Sequence, residues 1–195
     1  MGTNSSDSDD SDSDSDSNRN NQSELKLWNY KKEITINITD ERGKIGYIKG
    51  VLLNTDHILK ELKSDEVLKV LEFNDKEDEE EIKSFYIQVL SKGDCRNNAL
   101  YITELFIEKQ HRGNGIGRRI FDELPQFLYD HIDRDISCIY LMPGPLEKID
   151  GEVKYIMNPN DEQMIVLKEK LIRFYESVGF ERIGKTEFFH KYQVI

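Results

Sequence analysis

Cysteine, histidine and long apolar stretches are scarce in this chain of 195 residues. Its two cysteines, Cys95 and Cys138, are too few for a disulfide framework or a thiolate metal site, and its four histidines have no metal-ligand spacing. A membrane-spanning helix needs about 18 apolar residues in succession, and no such run occurs. The N-terminus is acidic, whereas a secretory signal is basic and then apolar. We therefore expect reduced thiols, no metal, no membrane partner and a soluble cytoplasmic protein, with a nuclear location also open.

Positive charge is also in short supply. The chain has 27 lysines and arginines against 38 acidic residues, a formal net charge of −11. General binding of nucleic acids relies on basic surface that displaces counterions from phosphates. The composition therefore predicts no nucleic-acid partner.

The excess of acidic residues is densest in residues 1–24. This segment holds six Asp and one Glu against one Arg, a net charge of −6 (1 − 7), and includes the run SSDSDDSDSDSDS at 5–17. Because so few apolar side chains cannot offset the entropy lost on folding, we predict a disordered acidic tail. The remaining residues, 25–195, have a net charge of −5 (26 − 31) and suit one folded domain.

The first half of that domain predicts a hairpin, a helix and two further strands. Alternating apolar side chains place the two strands of the hairpin at 34–40 and 44–53, and helical spacing places the helix at 55–71. The two further strands are predicted at 84–90 and 99–107. Thr55 or Asp56 can cap the helix. The last strand is apolar on both faces, which is typical of the middle of a covered sheet.

The second half predicts two helices and three strands. In order, they are a helix after a glycine-rich turn, a strand at 136–142, a helix from Asp161 to Gly179, and strands at 180–184 and 187–195. Pro125 lies inside the first helix and should kink or interrupt it, because proline removes a backbone donor. The connection 143–161 contains three of the four prolines and is longer than an ordinary loop, which suggests a functional role.

The glycine-rich turn is QHRGNGIGRRI, residues 110–120, with glycines at 113, 115 and 117. Alternating glycines between a strand and a helix let several backbone N–H groups approach a phosphate, which the positive end of the helix also attracts. The turn fits a dinucleotide fingerprint poorly because the third glycine comes one residue early, and it fits a Walker loop poorly because it ends in Gly-Arg-Arg. The alternatives that remain are a phosphate site for another kind of ligand and a mobile surface turn without a ligand.

Two motifs identify that ligand by resemblance. The stretch Gln110–Gly115 matches a Q/R-x-x-G-x-G/A pattern, and the helix end RFYESVGFERIG at 173–184 matches F/L-Y-x-x-x-G-F. Together they resemble the GCN5-related N-acetyltransferase (GNAT) family over about residues 99–192. The resemblance implies an α/β (α+β) fold with a mixed, mostly antiparallel central sheet and flanking helices, the acyl-CoA N-acyltransferase fold.

The same resemblance implies a reaction and a coenzyme site. Such enzymes transfer an acetyl group from acetyl-CoA, their co-substrate, to a primary amine by direct attack in a ternary complex. The residues that would contact the coenzyme are Leu105, Phe106, Ile107, Gln110, Arg112, Gly113, Asn114, Gly115, Ile116, Gly117, Arg118 and Lys168. Lys168 departs from the family, since many relatives have an asparagine there.

Two residues are candidates for catalysis. Tyr175 matches the tyrosine that protonates the sulfur of the coenzyme in many relatives; the alternative is an ordinary core tyrosine. In a regular strand, Glu104 lies on an apolar face between Ile102 and Phe106, where a carboxylate is costly unless it has a partner or a task. It resembles an acidic residue that faces the substrate amine in relatives. The alternative for Glu104 is a salt bridge to a lysine, and the alternative general base is a chain of water molecules. His111 and His190 are secondary candidates.

The charge of the domain favours a cationic acceptor, such as a lysine side chain, a protein N-terminus, a polyamine or an aminoglycoside. We expect the connection 143–161 to shape the choice among them. The rival function is a non-catalytic coenzyme-binding or protein-interaction module, whose acidic tail would be phosphorylated and would dock on basic proteins. The sequence leaves the oligomeric state open.

Overall fold

The computed structural model describes residues 30–61, 84–85, 88–90, 97–132, 136–156 and 162–192. The predicted tail, the rest of the first helix, Cys95 and the cap Asp161 lie outside these ranges. Within them, no helix is long and apolar enough to cross a membrane. The described residues also contain no group of three or more His, Cys, Asp and Glu side chains that could hold a metal ion.

The first half of the domain contains the predicted hairpin. Strands β1 (Lys31–Asp40) and β2 (Gly43–Asn54) form this hairpin. They are followed by helix α1 (Thr55–Glu61), strand β3 (Asn98–Ile107) and a 3₁₀ turn, Lys109–His111. The cap of α1 differs from the prediction: the side-chain oxygen of Asn54 accepts a hydrogen bond from the His57 N–H at 3.1 Å. The hydroxyl of Thr55 instead donates to the carbonyl of Asn97 at 2.6 Å.

The prediction of a strand at 84–90 is wrong. Ser84, Phe85 and Gln88 are helical, and the N–H of Val89 donates to the carbonyl of Phe85 at 2.9 Å. Phe85 and Val89 are both buried and lie one helical turn apart. The apolar run at 84–90 is so short that its spacing is compatible with a helix as well as with a strand. The ring of Phe85 stacks on Tyr101 of β3, with centroids 4.6 Å apart.

The second half contains α2 (Ile116–Ile132), β4 (Ile136–Leu141), β5 (Leu146–Ile149), β6 (Glu152–Tyr155), α3 (Glu162–Ser177), β7 (Glu181–Arg182) and β8 (Phe189–Tyr192). Helix α2 continues through Pro125 without the predicted interruption. Proline at that position leaves the carbonyl of Phe121 without its helical donor, and the ammonium of Lys191 reaches that carbonyl at 3.4 Å. A neighbouring strand therefore replaces the missing hydrogen bond.

The six-stranded sheet has the order β1-β2-β3-β4-β8-β7. Only β3 and β4 are parallel, and the other neighbours pair antiparallel, so the predicted mixed, mostly antiparallel sheet with flanking helices is confirmed. One face packs against α2 and α3 through residues such as Leu100, Ile139 and Phe121. The opposite face carries a second buried cluster that includes Tyr101 and Phe85. The central strands are covered on both sides, as the sequence of β3 predicts.

The motif RFYESVGFERIG, residues 173–184, forms the end of α3 and the residues that follow it. Gly179 has φ +91°, its N–H donates to the carbonyl of Glu176, and the N–H of Phe180 donates to the carbonyl of Tyr175, both at 3.0 Å. This pair of bonds is the Schellman arrangement that ends many helices. The rings of Tyr175 and Phe180 also pack together, with centroids 5.6 Å apart. The motif thus fixes Tyr175 in the last turn of the helix.

Candidate active site

A β-bulge in the middle of β3 sets the geometry of the site. Lys49 on β2 pairs with Glu104, but the next residue, Gly50, pairs with Ile102, so Thr103 is the extra residue. The bulge reverses the alternation of side chains along β3. The prediction that Glu104 shares a face with Ile102 is therefore wrong, and Leu105 takes that face instead.

Beyond the bulge, β3 separates from β4. The parallel pairing runs only from Asn98 to Ile102, whereas β3 continues to Ile107. The N–H of Glu108 donates to Ile45 of β2 at 2.8 Å, so the preceding carbonyl, of Ile107, points away from β2. Because peptide groups alternate along an antiparallel strand, the N–H and C=O of Leu105 also point to this open edge.

A cavity of about 440 Å³ lies beside the open edge. The side chains of Leu105 and Ile107 form one wall, and residues of α3, including Leu171 and Tyr175, form another. The turn before α2 lines one end. The complete lining is Leu105, Ile107, His111, Arg112, Gly113, Gly115, Ile116, Gly117, Arg118, Gly144, Pro145, Leu146, Glu147, Leu167, Leu171, Phe174 and Tyr175.

The three glycines of the turn meet two different needs. Gly113 and Gly115 have φ +82° and +76°, a conformation that side chains rarely adopt. Gly117 lets α2 approach α3, since a Cβ there would lie 2.7 Å from the ring of Phe174. The backbone N–H groups of 113–117 donate to no acceptor within the described residues. They are available to a ligand at the start of α2.

Eight of the twelve residues predicted to contact the coenzyme line this cavity. The other four do not. Phe106 is only 4% exposed and faces the opposite side of the sheet, while Gln110 and Asn114 are exposed in the turn. The ammonium of Lys168 forms an ion pair with Glu187 at 3.1 Å.

The connection between β4 and α3 is a hairpin that lies along the open edge. Asp150 and Gly151 form its two-residue turn, both with positive φ. The hydroxyl of Tyr155 donates to the carbonyl of Thr103, and the ammonium of Lys148 pairs with Glu108 at 3.1 Å. The hairpin therefore holds both ends of the open segment of β3.

Arg112 joins the turn, the strand and the hairpin. Its Nε donates to the carbonyl of Ile107 at 2.7 Å, and its Nη2 donates to the carbonyl of Leu146 at 3.4 Å. Arg118 similarly donates to the carbonyl of Ser177 at 3.1 Å and so connects α2 to α3. Both guanidinium groups border the cavity, where they add positive charge.

Tyr175 enters the cavity wall from the last turn of α3. It is 8% exposed and packs among the rings of Phe121, Phe174 and Phe180. Burial raises the pKa of its hydroxyl above the ordinary value. A tyrosine hydroxyl is protonated at neutral pH even at its ordinary pKa, so this one is in the state that a proton donor needs.

Glu104 lies on the opposite face of the sheet from Tyr175. Its carboxylate accepts a hydrogen bond from the hydroxyl of Tyr47 at 2.6 Å and forms an ion pair with Lys49 at 3.0 Å. The side chain is 22% exposed, so the salt bridge considered from the sequence exists and solvent still reaches the group. Burial, together with the hydrogen bond to Glu104, raises the pKa of Tyr47.

The two secondary candidates are placed differently. His111 lines the cavity, with its Nδ1 3.8 Å from a carboxylate oxygen of Asp40. His190, on β8, stacks on Tyr140 and does not line the cavity. Gly144, Pro145, Leu146 and Glu147 also form the wall. They belong to the connection 143–161, for which the sequence predicted a role in acceptor choice and no contact with the coenzyme.

The raised pKa of Tyr175 predicts a loss of stability at alkaline pH. The unfolded chain releases this proton near pH 10, earlier than the folded chain does. The contribution of Tyr175 is therefore complete below about pH 10 and is lost as the pH rises towards its folded-state pKa. We expect the free energy of unfolding to fall by at most about 1.4 kcal/mol per pH unit from this group.

Urea titrations of the wild type and of Tyr175→Phe between pH 9 and pH 11 would measure this loss. The variant should lose less stability than the wild type over that range. Identical slopes would mean that the hydroxyl is not desolvated as described.

Comparisons with known proteins give no match to a family model and no match to a curated protein. Among solved structures, arylalkylamine N-acetyltransferase 2 from Aedes aegypti is similar with a TM-score of 0.47 and 13% identity, over 81% of this chain and 72% of that one. NAA60 from Arabidopsis thaliana in complex with a bisubstrate analogue has a TM-score of 0.37 and 13% identity, over 81% and 71%. NAA60 in complex with acetyl-CoA has a TM-score of 0.34 and 13% identity, over 76% and 63%.

Proposed function

We propose that the chain is a GCN5-related N-acetyltransferase that transfers an acetyl group from acetyl-CoA to a primary amine of a cationic acceptor. The observation that carries this proposal is the meeting of two features at one cavity. An open strand edge offers the peptide group of Leu105, and the turn before α2 offers the N–H groups of 113–117, which have no acceptor among the described residues. A coenzyme with an amide-containing arm and a diphosphate matches both.

In this proposal the pantetheine arm pairs with the open edge of β3 as an added strand does. The diphosphate binds the N–H groups of the turn at the positive end of α2. Arg112 and Arg118 supply further positive charge, although each already donates to a backbone carbonyl. The apolar side chains of Leu105 and Ile107 contact the arm, and the apolar residues of α3 cover it.

The reaction forms a C–N bond and breaks the C–S bond of the thioester. An alkylammonium, with a pKa near about 10, must lose a proton before its nitrogen can attack, and the amide nitrogen loses a second one. Glu104, directly or through water, accepts protons on one face of the sheet. Tyr175, on the other face, donates its proton to the sulfur as negative charge develops there, and one of the released protons restores it. Each such group contributes on the order of 10²–10⁴-fold.

The acceptor would approach from the face that carries Glu104. The net negative charge of residues 25–195 favours a cationic acceptor. Tyr155 of the hairpin holds the carbonyl of Thr103 next to Glu104, so the hairpin borders the place where acceptor and thioester would meet. We therefore assign the hairpin a part in acceptor choice.

Release of free thiol from acetyl-CoA, measured across a panel of amines, tests the proposal. The panel contains a lysine peptide blocked at its N-terminus, a peptide with a free N-terminus, spermidine and an aminoglycoside. We expect turnover with at least one of them. Coenzyme binding without thiol release on any member would instead favour the non-catalytic binding module.

A further inference from the structure

Tyr47 lies at the centre of a cluster of opposite charges on the acceptor face. Its hydroxyl donates to Glu104, while the ammonium groups of Lys44 and Lys49 each lie 5.2 Å from the centre of its ring. Lys49 also contacts the carboxylate of Glu104 at 3.0 Å. One aromatic face and one carboxylate thus converge on the end of a flexible alkylammonium chain.

We propose that Tyr47 and Glu104 form the subsite for the ammonium group of the acceptor, and that Lys49 occupies this subsite until an acceptor replaces it. The inference rests on the proposed function, which makes the face of Glu104 the acceptor side. Lys49 is in this sense an internal stand-in for the acceptor. Its role is to set acceptor affinity, and it takes no part in the chemical step.

The chemistry of the cluster fits this role. Aromatic faces and carboxylates are the two kinds of group that attract an alkylammonium most strongly. The hydrogen bond from Tyr47 fixes the direction of the Glu104 carboxylate, so the subsite is formed before the acceptor arrives. The cross-strand pairing of Tyr47 with Phe106, whose ring centroid lies 5.8 Å away, holds the tyrosine ring in turn.

Lys49 can leave this position at little cost. Its side chain is 48% exposed, and ion pairs of such exposed groups contribute little to stability. An acceptor ammonium restores the contacts that Lys49 gives up with Glu104 and Tyr47. The exchange therefore keeps the carboxylate paired throughout.

The shape of the occupant narrows the class of acceptor. The ammonium of Lys49 is carried by an unbranched methylene chain, so the subsite accommodates a primary amine at the end of such a chain. Lysine side chains and polyamines have this form. The α-amine of a protein N-terminus and the ring amines of an aminoglycoside are attached to branched carbons, which places more bulk beside the ring of Tyr47.

Binding of n-butylammonium chloride to the full chain tests the inference without requiring turnover. The ring signals of Tyr47 are followed by NMR during the titration, with matched sodium chloride as the salt control. We expect Lys49→Met to bind n-butylammonium about threefold more tightly than the wild type or better, because the variant removes the ammonium that contacts both Tyr47 and Glu104, whereas Lys44 contacts only the ring. Glu104→Gln should abolish the response.

Lys60→Met is the control, since Lys60 forms an exposed ion pair with Asp56 at 3.1 Å on α1, away from the cluster. It should bind n-butylammonium as the wild type does. The branched sec-butylammonium should bind more weakly than n-butylammonium to Lys49→Met. Equal or weaker binding by Lys49→Met than by the wild type, or no response of Tyr47 in either, would overturn the inference.

Equal affinity for the two butylammonium isomers would overturn the restriction to unbranched chains. The proposed function fails by a different result. Binding of n-butylammonium as predicted, without thiol release from acetyl-CoA on any amine of the panel, would leave a cation subsite and remove the enzyme. Thiol release with an amine, without the predicted effect of Lys49→Met, would support the enzyme and remove the cation subsite.

Discussion

Replacing Tyr175 by phenylalanine should lower the turnover number for acetyl transfer by about 100-fold or more. The variant removes only the hydroxyl that reaches the cavity wall, and the ring keeps its packing against Phe121 and Phe180. Without that donor, the thiolate must leave unprotonated or wait for water to protonate it. Coenzyme affinity should be nearly unchanged, because the ring itself covers the arm.

Thiol release at saturating acetyl-CoA and calorimetry with CoA measure the two quantities separately. Tyr129→Phe is the matched control, since Tyr129 is an exposed tyrosine on α2 that does not line the cavity. It should behave as the wild type in both assays. Unchanged turnover in Tyr175→Phe would contradict the assigned role and leave Tyr175 as a core tyrosine.

Replacing Gly115 by aspartate should weaken binding of CoA at least tenfold, or about 1.4 kcal/mol. A carboxylate at this position lies in the turn whose N–H groups are proposed to bind the diphosphate, so it repels the ligand and competes for its donors. Aspartate tolerates positive φ better than most side chains, so strain contributes less than charge. Calorimetry with CoA measures the effect.

Gly184→Asp provides the control for charge and strain together. Gly184 also has positive φ, a Cβ there would meet no atom within 4 Å, and it does not line the cavity. The control should bind CoA as tightly as the wild type. Equal affinity in both variants would mean that the turn has been assigned to the wrong ligand.

The local features of the fold could be predicted from the sequence because short-range chemistry determines them. The hairpin of β1 and β2 follows from alternation, and the end of α3 follows from a glycine that needs positive φ. The glycine-rich turn could also be predicted, since Gly113 and Gly115 have φ values that other residues avoid. Each of these depends on neighbours within a few residues.

The side on which Glu104 lies could not be predicted in this way. Nothing in the residues around Thr103 marks the bulge, which becomes visible only through the pairing of β3 with β2. Strict alternation therefore placed the carboxylate on the wrong face. The contacts of Glu104 with Tyr47 and Lys49 depend on residues more than fifty positions away, which no local pattern reveals.

The hairpin beside the cavity has a signal in the sequence. Asp150-Gly151 is a typical two-residue hairpin turn, and it lies between short stretches that can pair. The sequence prediction for 143–161 rested on its length and prolines and did not include this turn. The strand predicted at 84–90 shows the opposite error, since its short apolar run was consistent with two periods and tertiary packing chose the helix.

The most direct test of the central claim is a crystal structure of the full chain with acetyl-CoA. We expect the diphosphate oxygens to lie within hydrogen-bond distance of the N–H groups of 113–117 and the pantetheine arm to pair with the peptide group of Leu105. The thioester should then lie between Tyr175 and Glu104. A coenzyme bound elsewhere, or none at saturating concentration, would contradict the account and leave the open edge of β3 without a function.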